Sequence, residues 1–404
     1  GGSTGSPSRL LIDLEFLADR SVYEHLMFRV LDLNRVPLAL WYPKLPASIG
    51  LSNCLRYAKI GSPPEHWFDM SLEGSALPAW HSWALSAIIG MSRFCAFPLP
   101  WPKAAPIKDP GSVIDWIVNT VQQHGRCALQ SNVSGIMRLC RAASLGGIDL
   151  RGVQFIAGSE PLTPSRHAEI EAVHARVFPR YYATDLGSIA SGCGAPDEVD
   201  ECHLLADSIA LISPPGEALE DDSRPLCLTS ILGSGPKVAI NVEFGDHAIV
   251  GKRRCGCLFE ELGFHTHLSR IRSAVRSTAE GTAMDFVELS RISEEILPRL
   301  FGGSMIDYQW VEDEEEESGS LTRLWLRIAP RLGAIDEGRV LQVVLDAIRK
   351  PDGAHRFYAQ LWGDAQTIRV LREDPRTTPS GKTPSVMKGR ESDTRPCPEN
   401  LSGG

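Results

Sequence analysis

Three short runs decide the reading of this chain: Cys127-Ala128-Leu129-Gln130, Val153-Gln154-Phe155-Ile156-Ala157 and Arg180-Tyr181-Tyr182-Ala183. Each is a brief apolar or aromatic stretch of strand length, and helical patterns separate them. Val133–Ala143 reads as a helix capped by Ser131 or Asn132, and Thr163 caps a second helix that opens on Pro164 and extends to about Arg176. Strand, helix, strand, helix, strand is the pattern of parallel βαβ units, whose ligands sit beyond the carboxyl ends of the strands. Two loops fall there, Gly158-Ser159-Glu160-Pro161-Leu162 and Thr184-Asp185-Leu186-Gly187.

Upstream, Leu10–Leu14 reads as a strand, and Tyr23, Leu26, Met27, Val30 and Leu31 share one face of a helix. The apolar stretch Leu77–Trp101 is interrupted by His81, Ser82, Ser86, Ser92 and Arg93, so a buried helix and a Pro-rich turn fit it better than a membrane span. Downstream, Ser208–Ile212, Leu226–Ser230, Val238–Val242 and His247–Val250 suggest short strands of a small β-subdomain at about 204–250. Beyond Arg272 the pattern becomes α+β, with a helix at Glu288–Leu300, strands at Asp307–Glu312 and Leu321–Ala329, and a helix at Asp336–Ile348. The acidic run Glu312–Glu317 reads as a solvated hairpin tip. The expected class is therefore α/β: a large domain of parallel βαβ units with a small β-subdomain over 1–271, a small mobile α+β C-terminal domain over 272–385, and a polar, disordered tail over 386–404.

With 404 residues, 43% hydrophobic and 23% charged, the chain has the balance of a soluble globular protein. A net charge of −9 argues against nucleic acid as a main partner, and no stretch argues for a membrane. Ten cysteines without a secretory signal suggest thiols of a reducing, cytoplasmic setting and make clustered ones suspect as metal ligands. Such a set exists in Cys193, Cys202, His203, Cys255 and Cys257, where Cys255-Gly256-Cys257 is a tight pair of the kind that often clamps zinc; free buried thiols are the other reading. His265 and His267 face one side of a strand as rival ligands or as part of a substrate pocket.

The chain opens Gly1-Gly2-Ser3-Thr4-Gly5-Ser6-Pro7-Ser8-Arg9, which by itself suits a Gly/Ser linker as well as a nest of backbone N–H groups for phosphate. Near the other end, Ser380-Gly381-Lys382-Thr383 imitates the close of a Walker loop, but Arg376 replaces its first glycine and Pro384 blocks a following helix. A lysine on such a loop can instead be brought to a reacting phosphate as a positive charge.

Taken in order, these pieces resemble the acyl-adenylate-forming (AMP-binding) superfamily. Gly2-Ser3-Thr4-Gly5-Ser6-Pro7 looks like its phosphate loop and Gly158-Ser159-Glu160-Pro161-Leu162 like its adenine-side loop. Tyr182-Ala183-Thr184-Asp185 is similar to its Tyr-Gly-x-Thr-Glu segment, Asp246 to its ribose-binding aspartate, and Pro379-Ser380-Gly381-Lys382 to its lysine loop. The cysteines resemble those of the phenylacetate–CoA ligase branch, where a similar cysteine–histidine set can hold a structural Zn²⁺; the resemblance implies Cys193, His203, Cys255 and Cys257 as its four ligands here. Relatives carry more of the large domain ahead of the phosphate loop, so the resemblance implies a chain truncated at its N-terminal side.

The resemblance implies a ligase that activates a small carboxylic acid with ATP and Mg²⁺, releases pyrophosphate, and passes the acyl group to CoA. Transfer to a carrier-protein phosphopantetheine or an amine, or a catalytically silent nucleotide-binding relative, stays open, as does a homodimer. It implies phosphate contacts from Gly2, Ser3, Thr4, Gly5 and Arg9, adenine contacts from Gly158, Ser159, Glu160, Pro161 and Tyr182, ribose contact from Asp246, and a further nucleotide-side role for Arg272. Thr184 and Asp185 would position Mg²⁺, and Lys382 would bridge the attacking carboxylate and the α-phosphate. Ser8 stands where many relatives have lysine, Ala183 replaces a glycine, and Asp185 is one methylene shorter than glutamate. The hinge keeps Arg272 and Gly281 without an acidic pair after the arginine. Small apolar residues over Val133–Leu139, Ala157–Ser159 and Thr184–Ile189 suggest a modest aromatic or branched acid.

Overall fold

A computed structural model describes residues 13–45, 47–71, 79–212, 222–235, 237–273, 276–279, 282–315, 321–348, 368–378 and 381–388. The expected phosphate loop, with Gly2, Ser3, Thr4, Gly5 and Arg9, lies outside the described residues, as does the tail from 389 onward. The described residues divide into two compact units, one within Leu10–Val275 together with Arg376–Pro384, the other within Arg276–Pro375 together with those from Ser385 onward. Where a C-terminal domain over 272–385 is expected to carry the lysine loop, that loop groups with the larger unit.

The larger unit opens with α1 (Leu14–Val30), β1 (Leu38–Trp41), α2 (Ile49–Lys59), β2 (His66–Asp69), α3 (Ala79–Ser92), β3 (Pro102–Ala104) and α4 (Gly111–His124). Next come β4 (Cys127–Asn132), α5 (Val133–Leu145), β5 (Val153–Gly158), α6 (Pro164–Ala172), β6 (Arg176–Ala183), β7 (Gly187–Gly192) and β8 (Cys202–Leu204). The rest of the unit is β9 (Ile209–Ile212), β10 (Arg224–Ser230), β11 (Val242–Lys252), α7 (Leu258–Glu261) and β12 (Thr266–Ser273). Among the described residues these strands form one twelve-stranded sheet in the order β3-β2-β1-β4-β5-β6-β7-β8-β12-β11-β10-β9. Pairing is parallel from β3 to β6 and antiparallel from β6 onward. The short strands expected as a β-subdomain are hydrogen-bonded onto the same sheet through β11 and β12.

The βαβ core follows its local chemistry. Asn132 caps α5 by accepting the Gly135 N–H at 2.7 Å, and Thr163 caps α6 with Pro164 at its first turn. Four local expectations are corrected. Leu14 begins a helix rather than ending a strand, because the Asp13 carboxylate caps it from the Phe16 N–H at 2.8 Å. Helix α6 stops at Ala172, and His174 takes a left-handed φ of 63° that turns the chain into β6. Residues 238–240 form no strand; β11 instead runs unbroken from Val242 to Lys252. Helix α3 exists but is largely unburied, with Trp80 63% and Trp83 75% exposed; among its described residues Leu85 and Ile89 are buried in the core and Ile88 packs against it.

The main core cluster joins Tyr23, Met27 and Phe28 of α1, Leu38 and Leu40 of β1, Cys54 and Tyr57 of α2, and Trp67 of β2. In the smaller unit, β13 (Arg276–Ala279) pairs with β14 (Thr282–Asp285), and α8 (Phe286–Arg291), a π-helical turn (Ile292–Ile296) and α9 (Leu297–Phe301) follow. Strands β15 (Tyr308–Glu315) and β16 (Leu321–Ile328), helix α10 (Glu337–Ile348), β17 (Ile368–Leu371) and β18 (Val386–Lys388) complete it. Its sheet has the order β17-β16-β15-β18, and Trp310, Leu326, Val340 and Val344 centre its own core. The acidic run lies in β15 up to Glu315, and 316–320 fall outside the described residues. Among the described residues no helix is long and apolar enough to cross a membrane.

Candidate active site

The site is built at the carboxyl end of β5. Gly158 ends that strand, and Ser159 takes φ 69°, a left-handed geometry that non-glycine residues adopt rarely and mainly where the surroundings hold it. The turn throws Glu160 across the first turn of α5. Its carboxylate accepts the Ser134 N–H at 2.7 Å and the Ser134 hydroxyl at 2.6 Å, where the helix dipole favours negative charge. Pro161 contributes its carbonyl, which accepts from Arg166 Nη1 at 2.8 Å.

Ser134 also reaches the lysine loop. The Thr383 N–H donates to the Ser134 hydroxyl oxygen at 3.0 Å, and Arg138 Nη2 donates to Thr383 Oγ1 at 3.1 Å. The loop is a tight turn: the Gly381 N–H donates to the Thr378 carbonyl and the Thr378 N–H to the Lys382 carbonyl, both at 2.8 Å. Gly381 has φ 78° and lies against Met70, leaving no room for a side chain. Lys382 is thereby held where burial lowers its pKa from the usual lysine value, while the carboxylates of Glu160 and Asp246 pull it back up. Two of the expected nucleotide residues thus share a field with the expected catalytic lysine.

Asp246 stands in β11 directly after Gly245, whose φ of 80° bends the strand beside a bulge in its pairing with β12. Burial raises its pKa, against the lowering effect of the Tyr181 hydroxyl, which donates to its Oδ2 at 2.7 Å. Tyr181 is a site residue that the sequence reading missed. No local pattern marked it, because its partner Asp246 lies 65 residues further along the chain, on β11. The Tyr182 ring is packed by Arg56, whose Cζ lies 5.1 Å from the ring centroid.

Thr184 and Asp185 occupy the turn between β6 and β7. They offer the hard oxygen donors that suit Mg²⁺, and Lys237, another residue not foreseen, donates to Asp185 Oδ2 at 2.8 Å. Arg272 donates to Asp200 Oδ2 at 2.7 Å, and Asp200 also accepts the Arg270 and Ile271 N–H groups at 2.9 Å, so Arg272 fixes β12 beside Asp246.

The cysteine and histidine residues come together elsewhere in the unit. Ligand atoms of Cys193, His203, Cys255 and His267 lie within 4.8 Å of one another. This mutual set has His267 where Cys257 is expected, although Cys257 Sγ is 3.2 Å from His203 Nε2. Cys202 points away, its thiol donating to the Pro179 carbonyl at 3.8 Å, because adjacent residues of β8 face opposite sides. His203 Nδ1 lies 2.6 Å from the Phe264 carbonyl and His267 Nδ1 3.2 Å from the His265 carbonyl. Each Nδ1 can donate there, leaving Nε2 with its lone pair toward the thiols. Burial lowers the His203 pKa to about 4, so the ring is neutral at pH 7, as a metal ligand must be. His267 Nε2 is buried without a hydrogen-bond partner among the described residues.

No family model matches the sequence, and no curated protein matches it. Solved structures do. The phenylalanyl-adenylate complex of McyG A-PCP is similar with a TM-score of 0.52 at 10% identity, over 95% of this chain and 55% of that one. O-succinylbenzoate coenzyme A synthetase from Bacillus subtilis, with ATP and magnesium ion, gives 0.51 at 12% over 95% and 67%. The anthranilate CoA ligase AuaEII, with anthranoyl-AMP, gives 0.50 at 11% over 90% and 60%. The chain therefore spans between 55% and 67% of the length of these neighbours and has the fold of the adenylate-forming enzymes.

Proposed function

We propose that this chain activates a small carboxylic acid as its acyl-adenylate. The observation that carries the reading is Lys382, held by the Ser134–Thr383 clasp in the joint field of Glu160 and Asp246. Two structural neighbours support it, since they hold acyl-adenylates in their own sites. The carboxylate oxygen forms a bond to the α-phosphorus of ATP as the bond to pyrophosphate breaks. The Lys382 ammonium answers the charge gathered where two anions meet. Tyr182 offers a ring face to adenine. Asp246 accepts a ribose hydroxyl through Oδ1, since Oδ2 is taken by Tyr181. Thr184 and Asp185 would hold Mg²⁺, which neutralises phosphate charge when bound. The acyl group then passes to CoA; a carrier-protein phosphopantetheine or an amine is the other acceptor class.

ATP–pyrophosphate exchange across aromatic and aliphatic acids tests the adenylation. Exchange with at least one acid is expected, and none with any would sink the reading. Adding CoA alone separates the acceptors, because thioester appears only if CoA discharges the adenylate.

A Zn²⁺ ion held by Cys193, His203, Cys255 and either His267 or Cys257 would make a closed structural site. Its support is the pair of Nε2 atoms turned toward the thiols. Elemental analysis of the purified chain should find about one equivalent of zinc. Cys255→Ser should lose the metal and lower the melting temperature. A folded wild-type chain without metal would rule the site out.

A further inference from the structure

Helix α3 turns an apolar stripe away from the core. Trp80, Trp83, Ala87 and Met91 follow one another at steps of three and four residues, so they line one side of the helix. Leu85 and Ile89 lie on the opposite side and are buried. Phe94, in the turn just past the helix, continues the stripe by the same step. Trp80, Trp83, Met91 and Phe94 are between 62% and 94% exposed. Ala87 and Gly90 leave a notch beside these large side chains, and a methyl added at Gly90 would meet nothing within 4 Å. Across Ala79–Ser92 there is no Asp, Glu, Lys or Arg.

At about 150–250 Å² for each large side chain, these four leave roughly 400–700 Å² of apolar surface in water. Proteins that act as single copies rarely expose a contiguous patch of more than a few hundred Å². Two copies pairing through this face would bury roughly 800–1,400 Å² in total, and a specific interface clears about 1,000 Å². We propose that the outward face of α3 is where two copies of this chain associate, the helices packing antiparallel about a two-fold axis at Ala87. An axis there sets Trp83 of one copy opposite Met91 of the other, and Trp80 opposite Phe94, each contact occurring twice. The indole ring then meets a thioether, and the small Ala87 lets the two backbones approach. The absence of charge selects a second copy over other occupants. A chain of net charge −9 repels its own copy least where it presents no charged side chain. A helix that lies on an anionic membrane carries Lys and Arg beside its apolar face, and α3 has neither.

Size-exclusion chromatography with light scattering on the full chain, across a series of concentrations, should find a species of twice 44.2 kDa. Trp83→Glu should weaken the pairing by at least about 100-fold, since one substitution removes an aromatic anchor twice across the axis. Met91→Glu, at the opposed position, should do the same. Both side chains are exposed, so circular dichroism should show an unchanged fold and separate loss of pairing from unfolding. A short bis-maleimide reads the register, in a Cys95→Ser background because Cys95 is an exposed thiol. Ala87→Cys, beside the axis, should join two copies at least about tenfold faster than Ser82→Cys, which is exposed on the flank of the helix. The proposal is overturned if the wild type stays at 44.2 kDa at every concentration or forms species larger than two copies. It is equally overturned if Trp83→Glu pairs as tightly as the wild type, or if Ala87→Cys cross-links no faster than Ser82→Cys. A chain that stays single yet sediments with phosphatidylserine–phosphatidylcholine vesicles, and no longer does so with Trp83→Glu, would assign the face to a membrane instead. None of these readouts depends on adenylation.

Discussion

Lys382→Ala is expected to lower ATP–pyrophosphate exchange by at least about 10²-fold, the loss typical when one preorganised group facing developing charge is removed. The loss should fall on kcat, with KM for ATP nearly unchanged, because the ammonium acts where charge accumulates during attack and not on the adenine or ribose. Lys382→Arg should recover little, since a planar fork cannot take the place of a compact ammonium on this tight turn. The pH profile supplies an independent readout. Burial makes the charged form of Lys382 less favourable in the folded chain, so its pKa lies below 10.5. The alkaline limb of exchange should therefore fall below pH 10.5. Linkage has the matching sign: the unfolded chain binds more protons between the folded pKa and 10.5, so this group's contribution to stability rises with pH across that window. Exchange by Lys382→Ala within twofold of the wild type would show that the lysine has been assigned wrongly.

What could be read from the sequence follows from the range of the forces involved. The stretch from Cys127 to Ala183 was legible because caps and apolar runs act locally: Asn132 and Thr163 sit where short-range rules put them. The Glu160 loop, Asp246 and Lys382 were legible as motifs, and the fold brings their charges into one field. The errors lie where tertiary pairing decides. Leu14 looked like a strand residue because Leu10–Leu14 is apolar, yet the side chain of Asp13 starts a helix there. Residues 238–240 look like a strand by composition, but Ala239 is spent on two bonds to Ser230, one from its N–H to the hydroxyl and one from the Ser230 N–H to its carbonyl. Ser134, Tyr181 and Lys237 had no sequence signal as a set. Their partners are Thr383, Asp246 and Asp185, between 52 and 249 residues away, and only the sheet order brings them together.

Gly381→Ala tests whether the lysine loop works in the docked position. Two separate penalties meet at this residue. Its φ of 78° is left-handed, which costs a residue with a Cβ about 1–2 kcal/mol. The added methyl would also overlap Met70, itself 1% exposed and unable to retreat into solvent, and overpacking of that kind costs about 1–3 kcal/mol. Together they oppose docking by roughly 2–5 kcal/mol, or about one and a half to three and a half powers of ten in the docked equilibrium. Exchange should fall by at least about tenfold while the sheet keeps its stability, because the strain is relieved when residues 376–384 lift away. Amide hydrogen exchange should show that release as lost protection at Gly381, Lys382 and Thr383, with β4 and β5 unchanged. Met70→Ala separates the penalties. Combined with Gly381→Ala it removes the overlap and leaves the backbone cost of about 1–2 kcal/mol, so activity should return to within about thirtyfold of the Met70→Ala single variant. A double variant no better than Gly381→Ala alone would show that Met70 is not the obstacle. Full activity in Gly381→Ala would show that the reaction does not require Lys382 to be seated against Met70 and Ser134.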